Sequence, residues 1–408
     1  MRRPLPRGGA EHGAAHVSAE RLDVLIVGGG PAGLIAAREI AARAPRVSVL
    51  LIERDRAIGA PVRCGEGVGS AGLREFISPE GAPWISRRIG RVILKAPDGS
   101  EVYVAEGDVG FILDRTRFEP ALAQEAISAG AEIRVETEAT GLERASDGRR
   151  VAIAGPAGDS AVHARVVIAA DGVEGMTARW AGLDTRVPSK DMESCAQYVA
   201  AGADHDPDAI VLHFGQEVAP GGYAWVFPKG DGLANIGLGV VALRAKEGSA
   251  RRYLDRYMDT FHPRAERRSL TVGGVIVHPT IKSTVTDALI VCGDAAHMIN
   301  PLSGGGIVNA MKAGRLAAHT AVDALAAGDT SAARLARYHD AWMSLLGEDH
   351  VRFHRVKEAL TRFDDAFFDG LARTVNGIAP EKRTLGRIFA HALVRQPALL
   401  GVIGKYFV

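Results

Sequence analysis

The residues best suited to hold a phosphate group lie near the start of the chain, where an apolar segment leads into a glycine-rich turn. Asp23-Val-Leu-Ile-Val is followed directly by Gly28-Gly-Gly30-Pro-Ala-Gly33. Gly28 permits a tight turn, Gly30 allows the backbone to approach phosphates, and Gly33 lets a helix pack on the strand. Because the N-terminus of a helix attracts anions, this motif predicts a pyrophosphate site.

A second strand ends on an acid at the distance that such a site requires. Val47-Ser-Val-Leu-Leu-Ile leads into Glu53, twenty residues after Gly33. A carboxylate at this position can accept a hydrogen bond from a ribose hydroxyl. A glycine-rich turn without a ligand is the alternative, but the strand, the helix and the acid together favour a dinucleotide. Glu53 alone does not separate NAD from FAD.

A distal motif separates the two cofactors. Residues 288–294 have the composition of a short buried parallel strand, and Asp294 stands at its carboxyl end, where ligands of open α/β sheets bind. The run from Pro301 to Gly306 would bring backbone N–H groups of the next helix to a flavin or its phosphate. Asp294 as a simple helix cap is the alternative, but it leaves the glycine cluster unexplained. The two motifs in this order predict FAD.

The elements that position these motifs come from separate parts of the chain. A third apolar strand, which starts at Ala164, ends in Asp171-Gly172 and returns to the same sheet. The fold class that we predict is α/β, with a Rossmann-like FAD-binding domain. This domain is discontinuous and is formed by residues 21–90, 112–190 and 278–328.

The remaining segments predict a second domain and a helical region. Residues 91–111 and 191–277 alternate apolar and polar residues, which predicts an antiparallel sheet that binds the substrate over the flavin. Residues 329–408 have a helical pattern. Residues 1–20 lack an apolar core and are expected to form a disordered tail.

Composition excludes several classes of protein. The 408 residues suit two or three domains, and a net charge of +1 without a long basic run argues against a nucleic-acid partner. The three cysteines rule out a disulfide framework and favour a reducing compartment, so we expect a cytoplasmic protein. No apolar segment reaches the ~18 residues of a transmembrane helix. We assign no metal ligands.

An aromatic row indicates where a substrate would lie. Tyr223, Trp225 and Phe227 occupy every second position, so in a strand their rings share one face. The turn that starts at Lys229 predicts a hairpin with the strand that follows from Leu233. A row of aromatic side chains beside a flavin suits a flat or apolar substrate. The alternative is that these side chains only pack within the sheet.

Three segments carry a resemblance to a known family. The loop Pro61-Val-Arg-Cys-Gly-Glu-Gly-Val, the Tyr-X-Trp-X-Phe-Pro strand at 223–228 and the Pro-Leu-Ser-Gly-Gly-Gly-Ile run at 301–307 resemble geranylgeranyl reductases and archaeal-lipid reductases. These belong to the flavoprotein superfamily of the aromatic hydroxylases and halogenases. The resemblance covers roughly residues 21–330.

The resemblance implies an activity. It implies an FAD-dependent oxidoreductase that hydrogenates isolated C=C bonds of a geranylgeranyl or other prenyl chain, carried by a small molecule or lipid, with NAD(P)H or ferredoxin as electron donor. The family usually has a small residue at the position of His297, whereas many hydroxylases have a histidine there, as this chain does. A single-component FAD monooxygenase that acts on an aromatic or polycyclic compound is therefore the alternative.

The motifs and the resemblance together define the expected site residues. The expected FAD contacts are Gly28, Gly30, Ala32, Gly33, Glu53, Arg54, Arg63, Cys64, Gly65, Gly67, Arg115, Ala139, Asp171, Asp294, Gly304, Gly305, Gly306 and Ile307. The expected catalytic residues are Cys64, Tyr223 and Trp225. The Cys64 thiol could donate a proton or form a redox pair, or it could simply be a small residue in a tight loop.

The end of the chain has a different charge balance from the rest. Residues 351–408 contain ten Lys or Arg and five Asp or Glu, together with many large apolar residues. Basic and apolar residues mixed on helices are typical of an interfacial element. We therefore predict peripheral contact with the inner face of the membrane, with a helical cap or a dimer contact as the alternative.

Overall fold

The computed structural model describes residues 20–246 and 248–378, which form two eight-stranded sheets and the helices that cover them. The strands are β1 (Glu20–Val27), β2 (Val49–Ile52), β3 (Gly67–Gly69), β4 (Ile85–Lys95), β5 (Glu101–Leu113), β6 (Glu132–Arg134), β7 (Glu138–Ala145), β8 (Gly148–Gly155), β9 (Gly158–Ala169), β10 (Met192–Ala201), β11 (Ala209–His213), β12 (Tyr223–Gly230), β13 (Leu233–Val241), β14 (Glu266–Ile276), β15 (Val285–Thr286) and β16 (Leu289–Val291). The helices are α1 (Pro31–Arg43), α2 (Ser70–Arg74), α3 (Arg115–Ser128), α4 (Thr177–Trp180), α5 (Ala250–Phe261), α6 (Ile307–Ala327), α7 (Ala332–Trp342), α8 (Glu348–Leu360) and α9 (Asp365–Asn376).

The first sheet has a parallel centre in the order β16-β9-β1-β2-β6. Its central strands are continuous apolar runs: residues 24–27 of β1 and all of β2 and β16 are buried. Such runs are typical of parallel strands that are covered on both faces. The hairpin of β7 and β8 joins the amino-terminal half of β9 in antiparallel pairing.

Helices α1 and α6 pack closely because small residues line their contact. A Cβ atom at Gly314 of α6 would lie 2.2 Å from the carbonyl oxygen of Ala32 in α1. The buried face of α6 is otherwise largely alanine. This close approach brings the starts of the two helices to the same end of the first sheet.

The second sheet has the order β14-β10-β13-β12-β11-β4-β5-β3 and is antiparallel except where β11 pairs with β4. One face packs against α5. The side chains that form this core are Ala196, Tyr198, Ala224, Val226, Ile236, Leu238, Leu254 and Met258. Because side chains alternate along a strand, the residues between them point to the opposite face, which carries the aromatic row.

Helix α8 is fixed to the second sheet through a buried carboxylate. Asp191, just before β10, accepts hydrogen bonds from Lys357 Nζ at 2.7 Å and interacts with His354 Nε2 at 2.9 Å. Lys357 also donates to the carbonyl of Val277 at 3.0 Å. These contacts hold α8 beside the second sheet.

The predictions for both ends of the chain fall largely outside the described residues. Residues 1–19 of the predicted tail and the basic, apolar stretch from 381 to 408 lie there, whereas Glu20 begins β1. In the described part of the chain, no helix is both long and apolar enough to cross a membrane.

Candidate active site

The glycine turn after β1 lies at the predicted pyrophosphate site. Gly28 has φ +109, and a Cβ atom there would lie 2.3 Å from the carbonyl oxygen of Ala170. A Cβ atom at Gly33 would lie 2.0 Å from the carbonyl oxygen of Gly28, whereas one at Gly30 would meet nothing within 4 Å. Gly28 and Gly33 therefore serve packing, and Gly30 faces open space where a phosphate can approach.

The start of α1 has no side-chain cap and no acid in its first turn. Glu53 lies beside it, directly after β2. Its carboxylate accepts hydrogen bonds from Gly29 N at 2.7 Å and from Asp55 N at 2.9 Å. These bonds fix the direction of the carboxylate and leave lone pairs that a ribose hydroxyl can use.

The distal motif lies against the same helix start. Gly293 has φ +67, and a Cβ atom there would be 3.2 Å from the Ala32 side chain. Asp294 follows, and a Cβ atom at Gly306 would lie 3.5 Å from its Oδ1. Burial raises the pKa of Asp294, while Arg115 opposes this shift. Helix α6 then begins at Ile307, again without a side-chain cap.

These features fit FAD. Two helix starts without side-chain caps leave backbone N–H groups free, and a carboxylate follows β2 and another follows β16. The open space over Gly30 admits a pyrophosphate. Gly304, with φ +68, and Gly305 lie in the loop between Asp294 and α6.

Asp171 follows β9 and caps α4. Its Oδ2 accepts a hydrogen bond from Thr177 N at 2.9 Å, and its Oδ1 is buried without a partner among the described residues. Nearby, Arg54 Nη2 and Arg63 Nη1 both contact Glu174 Oε2, at 2.7 and 3.3 Å. The two predicted arginines therefore meet at one exposed carboxylate beside the loop after β9.

Ala139 lies on β7, half-buried, close to the end of β2. Thr137, two residues earlier, donates its backbone N–H to the carbonyl oxygen of Glu53 at 2.8 Å. Ala139 therefore lies two residues beyond the hydrogen bond between Thr137 and Glu53, the predicted ribose-binding acid.

The loop of residues 61–68 (the early loop) is organised around Glu66, which is 3% exposed and has φ 69. Its Oε1 accepts a hydrogen bond from Arg115 N at 3.0 Å. Its Oε2 accepts from Asn235 Nδ2 at 2.8 Å and from the ammonium group of Lys229. One carboxylate thereby connects the loop, the start of α3 and the β12–β13 hairpin.

Cys64 belongs to this loop, two residues before the Glu66 that binds the start of α3. Its Sγ accepts a hydrogen bond from Glu66 N at 3.2 Å. The Arg115 side chain pairs with Glu119, with Arg115 Nε 2.7 Å from Glu119 Oε1. Burial disfavours the charge of Arg115, but Glu119 and Cys64 outweigh it and raise the pKa of Arg115.

The aromatic row packs against the early loop. The ring centroids of Tyr223 and Trp225 are 6.1 Å apart, and those of Trp225 and Phe227 are 6.3 Å apart. A Cβ atom at Gly65 would lie 2.9 Å from the Phe227 ring. The Tyr223 hydroxyl donates to the carbonyl of Ser303, which ties the row to the loop before α6.

Four polar residues of this site were missed in the sequence. Glu66, Gln197, Lys229 and Asn235 hold the early loop against the second sheet. Trp225 Nε1 donates to Gln197 Oε1 at 2.8 Å, and Gln197 Nε2 donates to the carbonyl of Cys64 at 3.0 Å. Gln197 and Asn235 lie on the same face of the second sheet as the aromatic row. An amide at an alternating position of an otherwise apolar strand was the sequence signal that could have identified them.

His297 is buried behind Asp294. It is 2% exposed, and its Nδ1 has no partner among the described residues. Burial lowers its pKa to about 4, so the ring is neutral at physiological pH. It lines a cavity of about 180 Å³ together with Arg179 and Asp294.

The fold and the site define an FAD-dependent oxidoreductase. Residues 191–277 match the geranylgeranyl reductase catalytic domain, and residues 23–197 match the lycopene cyclase protein family. The chain is 43% identical to a digeranylgeranylglycerophospholipid reductase of Methanosphaerula palustris, over 93% of this chain and 96% of that protein. It is 40% identical to the reductase of the same name from Methanocella arvoryzae, over 93% and 97%. The chain belongs to the geranylgeranyl reductase family.

Solved structures agree with this membership. A geranylgeranyl bacteriochlorophyll reductase-like protein from Thermoplasma acidophilum superimposes with a TM-score of 0.89 at 30% identity, covering 95% of this chain and 100% of that one. A flavin-dependent brominase superimposes with a TM-score of 0.71 at 18% identity, over 92% and 98%, which shows the fold alone. The predicted family, fold class and FAD cofactor are confirmed.

Proposed function

We propose that the protein hydrogenates the isolated C=C bonds of geranylgeranyl chains on a glycerophospholipid. The curated relatives named above carry that substrate in their names. The observation that carries the proposal is the aromatic face of the second sheet, which stands against the early loop and reaches the loop before α6 through Tyr223. A long apolar chain can lie along such a face with its double bonds shielded from water.

The expected cofactor contacts have defined roles in this proposal. Ala32, Gly33 and Ile307 belong to the two helix starts, and Glu53 and Asp294 would accept hydrogen bonds from hydroxyl groups of FAD. Gly65, Gly67 and Arg115 would hold the early loop beside the cofactor. When bound and reduced, FAD would supply the hydride for the alkene. The protein holds the chain in place and excludes water.

Tyr223 and Trp225 form the substrate wall, and Cys64 lies at its edge. Gly237 makes room for the indole, because a Cβ atom there would lie 2.5 Å from the Trp225 ring. The Trp225–Gln197–Cys64 hydrogen bonds fix both the indole and the loop. Trp225, Gln197 and Cys64 would therefore determine how closely an alkene approaches the cofactor.

The electron donor in this proposal is NAD(P)H or a reduced ferredoxin. Either donor would reduce FAD before the lipid binds. The two are distinguished by adding each to oxidised holoenzyme without oxygen and recording the bleaching of the flavin absorbance. Bleaching by one donor and not by the other identifies it.

The activity is tested with chemically reduced protein. Dithionite-reduced holoenzyme is incubated without oxygen with a digeranylgeranylglycerophospholipid in detergent micelles, and the lipid is analysed by mass spectrometry. Gains of two hydrogens per reduced bond are expected. A product heavier by one oxygen atom, formed only in air with NAD(P)H, would instead favour the monooxygenase. That alternative has less support, since the relatives that match nearly the whole chain are named as reductases of a prenyl lipid.

A further inference from the structure

Glu193 of β10 lies on the face of the second sheet that carries the aromatic row. In the sheet register Glu193 pairs with Val241, and Cys195 pairs with Gly239, which pairs in turn with Tyr223. The buried residues Ala196 and Tyr198 of the same strand point to α5 instead. Alternation therefore places Glu193 on the substrate face, two residues from Cys195.

Glycines leave a trough between β10 and β12. A Cβ atom at Gly239 would lie 3.0 Å from Glu193 Oε2 and 3.2 Å from Cys195 Sγ. A Cβ atom at Gly222 would lie 3.7 Å from the same Glu193 oxygen. The Glu193 carboxyl thus leans over Gly239 at the Tyr223 end of the row, which is the end bonded to Ser303.

The Glu193 carboxyl makes no hydrogen bond or ion pair with another side chain of the described residues, and burial raises its pKa to about 7. Lys357 of α8 acts in the opposite direction. Its other titratable neighbours are Cys195, whose pKa burial raises to about 12, and Tyr223, whose pKa burial also raises. Near neutral pH only Glu193 among these groups readily both gives and regains a proton.

We propose that Glu193 is the catalytic acid that protonates the alkene, a role that rests on the proposed placement of the prenyl chain along the aromatic row. One alkene carbon receives the hydride that the reduced flavin supplies, and the other receives the proton from the Glu193 carboxyl. The C=C π bond is lost, two C–H bonds form, and the cofactor is oxidised. The Glu193 carboxylate that remains takes a proton from water.

The test compares variants of the holoenzyme in single turnovers. Reduced protein is mixed without oxygen with a digeranylgeranylglycerophospholipid in micelles, and flavin reoxidation is followed as a function of pH. The wild-type rate constant should fall about tenfold per pH unit above about 7. Glu193→Gln should lower it by roughly 10²–10⁴-fold and remove this pH dependence, while FAD content is unchanged. Glu193→Asp should keep the pH dependence at a lower rate.

A matched control and a direct titration complete the test. Glu266→Gln changes an exposed carboxyl on the neighbouring strand β14 and should leave the rate unaltered. Infrared difference spectra of wild type against Glu193→Gln should show a protonated carboxyl band that titrates near pH 7. A midpoint near the ordinary glutamate value, or an undiminished rate in Glu193→Gln, would overturn the role of Glu193 alone. No reoxidation in wild type would overturn the proposed function and this role with it.

Discussion

Glu53 combines a fixed position with unused acceptor capacity. Its two backbone hydrogen bonds hold the carboxylate at the end of β2, beside the start of α1. A rigid acceptor loses little conformational freedom when a ribose hydroxyl binds. The contribution of this single side chain to FAD affinity should therefore be measurable.

Glu53→Ala is expected to weaken FAD binding. A hydrogen bond to a charged group contributes about 1.5–3 kcal/mol, which corresponds to a roughly ten- to hundredfold rise in Kd. Calorimetric titration of apoprotein with FAD measures the change. Glu143→Ala, an exposed glutamate on β7, is the control. Equal affinity in the Glu53 and Glu143 variants would show that the ribose lies elsewhere.

Trp225→Ala should lower prenyl reduction far more than FAD affinity. The indole forms the middle of the aromatic row and holds Gln197, whereas the cradle for the pyrophosphate lies on the other sheet. Anaerobic product formation and flavin content are compared in the same preparations. Trp225→Phe keeps a ring without the hydrogen bond, and its rate of prenyl reduction should lie between those of wild type and Trp225→Ala. Unchanged reduction in both Tyr223→Ala and Trp225→Ala would assign the row to packing.

At the scale of elements, the buried contacts of α8 define how the helical region is held. Asp191 is 1% exposed, and Lys357 and His354 reach it from one face of α8. His354 and Lys357 outweigh the opposing effect of burial and lower the pKa of Asp191 to about 2. A buried carboxylate of this kind depends on its partners, because it has little water to replace them.

Lys357→Met should destabilise the protein by about 3–5 kcal/mol, since it leaves a buried carboxylate short of a partner. Urea unfolding followed by circular dichroism measures this change in the free energy of unfolding. Lys190→Met is the matched control, because its pairing with Glu358 is partly exposed and should contribute about 1 kcal/mol or less. Equal losses in the two variants would mean that the buried pair does not anchor α8.

Acid should remove the Asp191 contribution over a defined range. The folded pKa is below the ordinary value of 3.8, so the stabilisation is complete above 3.8 and is lost as the pH falls toward about 2. Between pH 5 and pH 3 the wild type should therefore lose more stability than Asp191→Asn. The urea midpoints of both proteins at the two pH values test this. Equal decreases of the midpoint in wild type and Asp191→Asn would contradict it.

Elements with strong local signals were predictable from the sequence, and those that depend on distant pairing were not. The apolar runs of β1, β2 and β16 and the hairpin after Lys229 follow from composition and turn chemistry. The parallel pairing of β4 with β11 joins segments more than 100 residues apart. The hydrogen bonds of Gln197 and Asn235 with residues 64–66 also join distant segments, so the alternation marked these amides but did not give their partners.

At the scale of the whole molecule, charge is unevenly distributed. The chain has a net charge of +1, while residues 351–408 contain ten basic and five acidic residues, a local balance of +5. The proposed lipid substrate would be taken from a bilayer, which predicts contact with a membrane surface. We expect the basic end of the chain to contribute to that contact.

Flotation with anionic liposomes measures this contact. Binding should be present at low salt, weaken as salt rises and disappear when residues 381–408 are deleted, with FAD retained. Each basic residue near an anionic surface contributes about 1 kcal/mol, so the effect should be largest at low ionic strength. Neutral liposomes are the control. Absence of flotation at low salt would contradict membrane contact and favour a helical cap or a dimer contact.

The shared acceptor in the early loop makes the energies of its donors inseparable. Lys229, Asn235 and the Arg115 N–H all use the one carboxylate of Glu66. Loss of either side-chain donor leaves that carboxylate two partners, whereas loss of both leaves it one. A double-mutant cycle between Lys229→Met and Asn235→Ala should therefore give a coupling free energy of about 0.5–3 kcal/mol. Evolutionary change at one of these positions is accordingly constrained by the residue at the other.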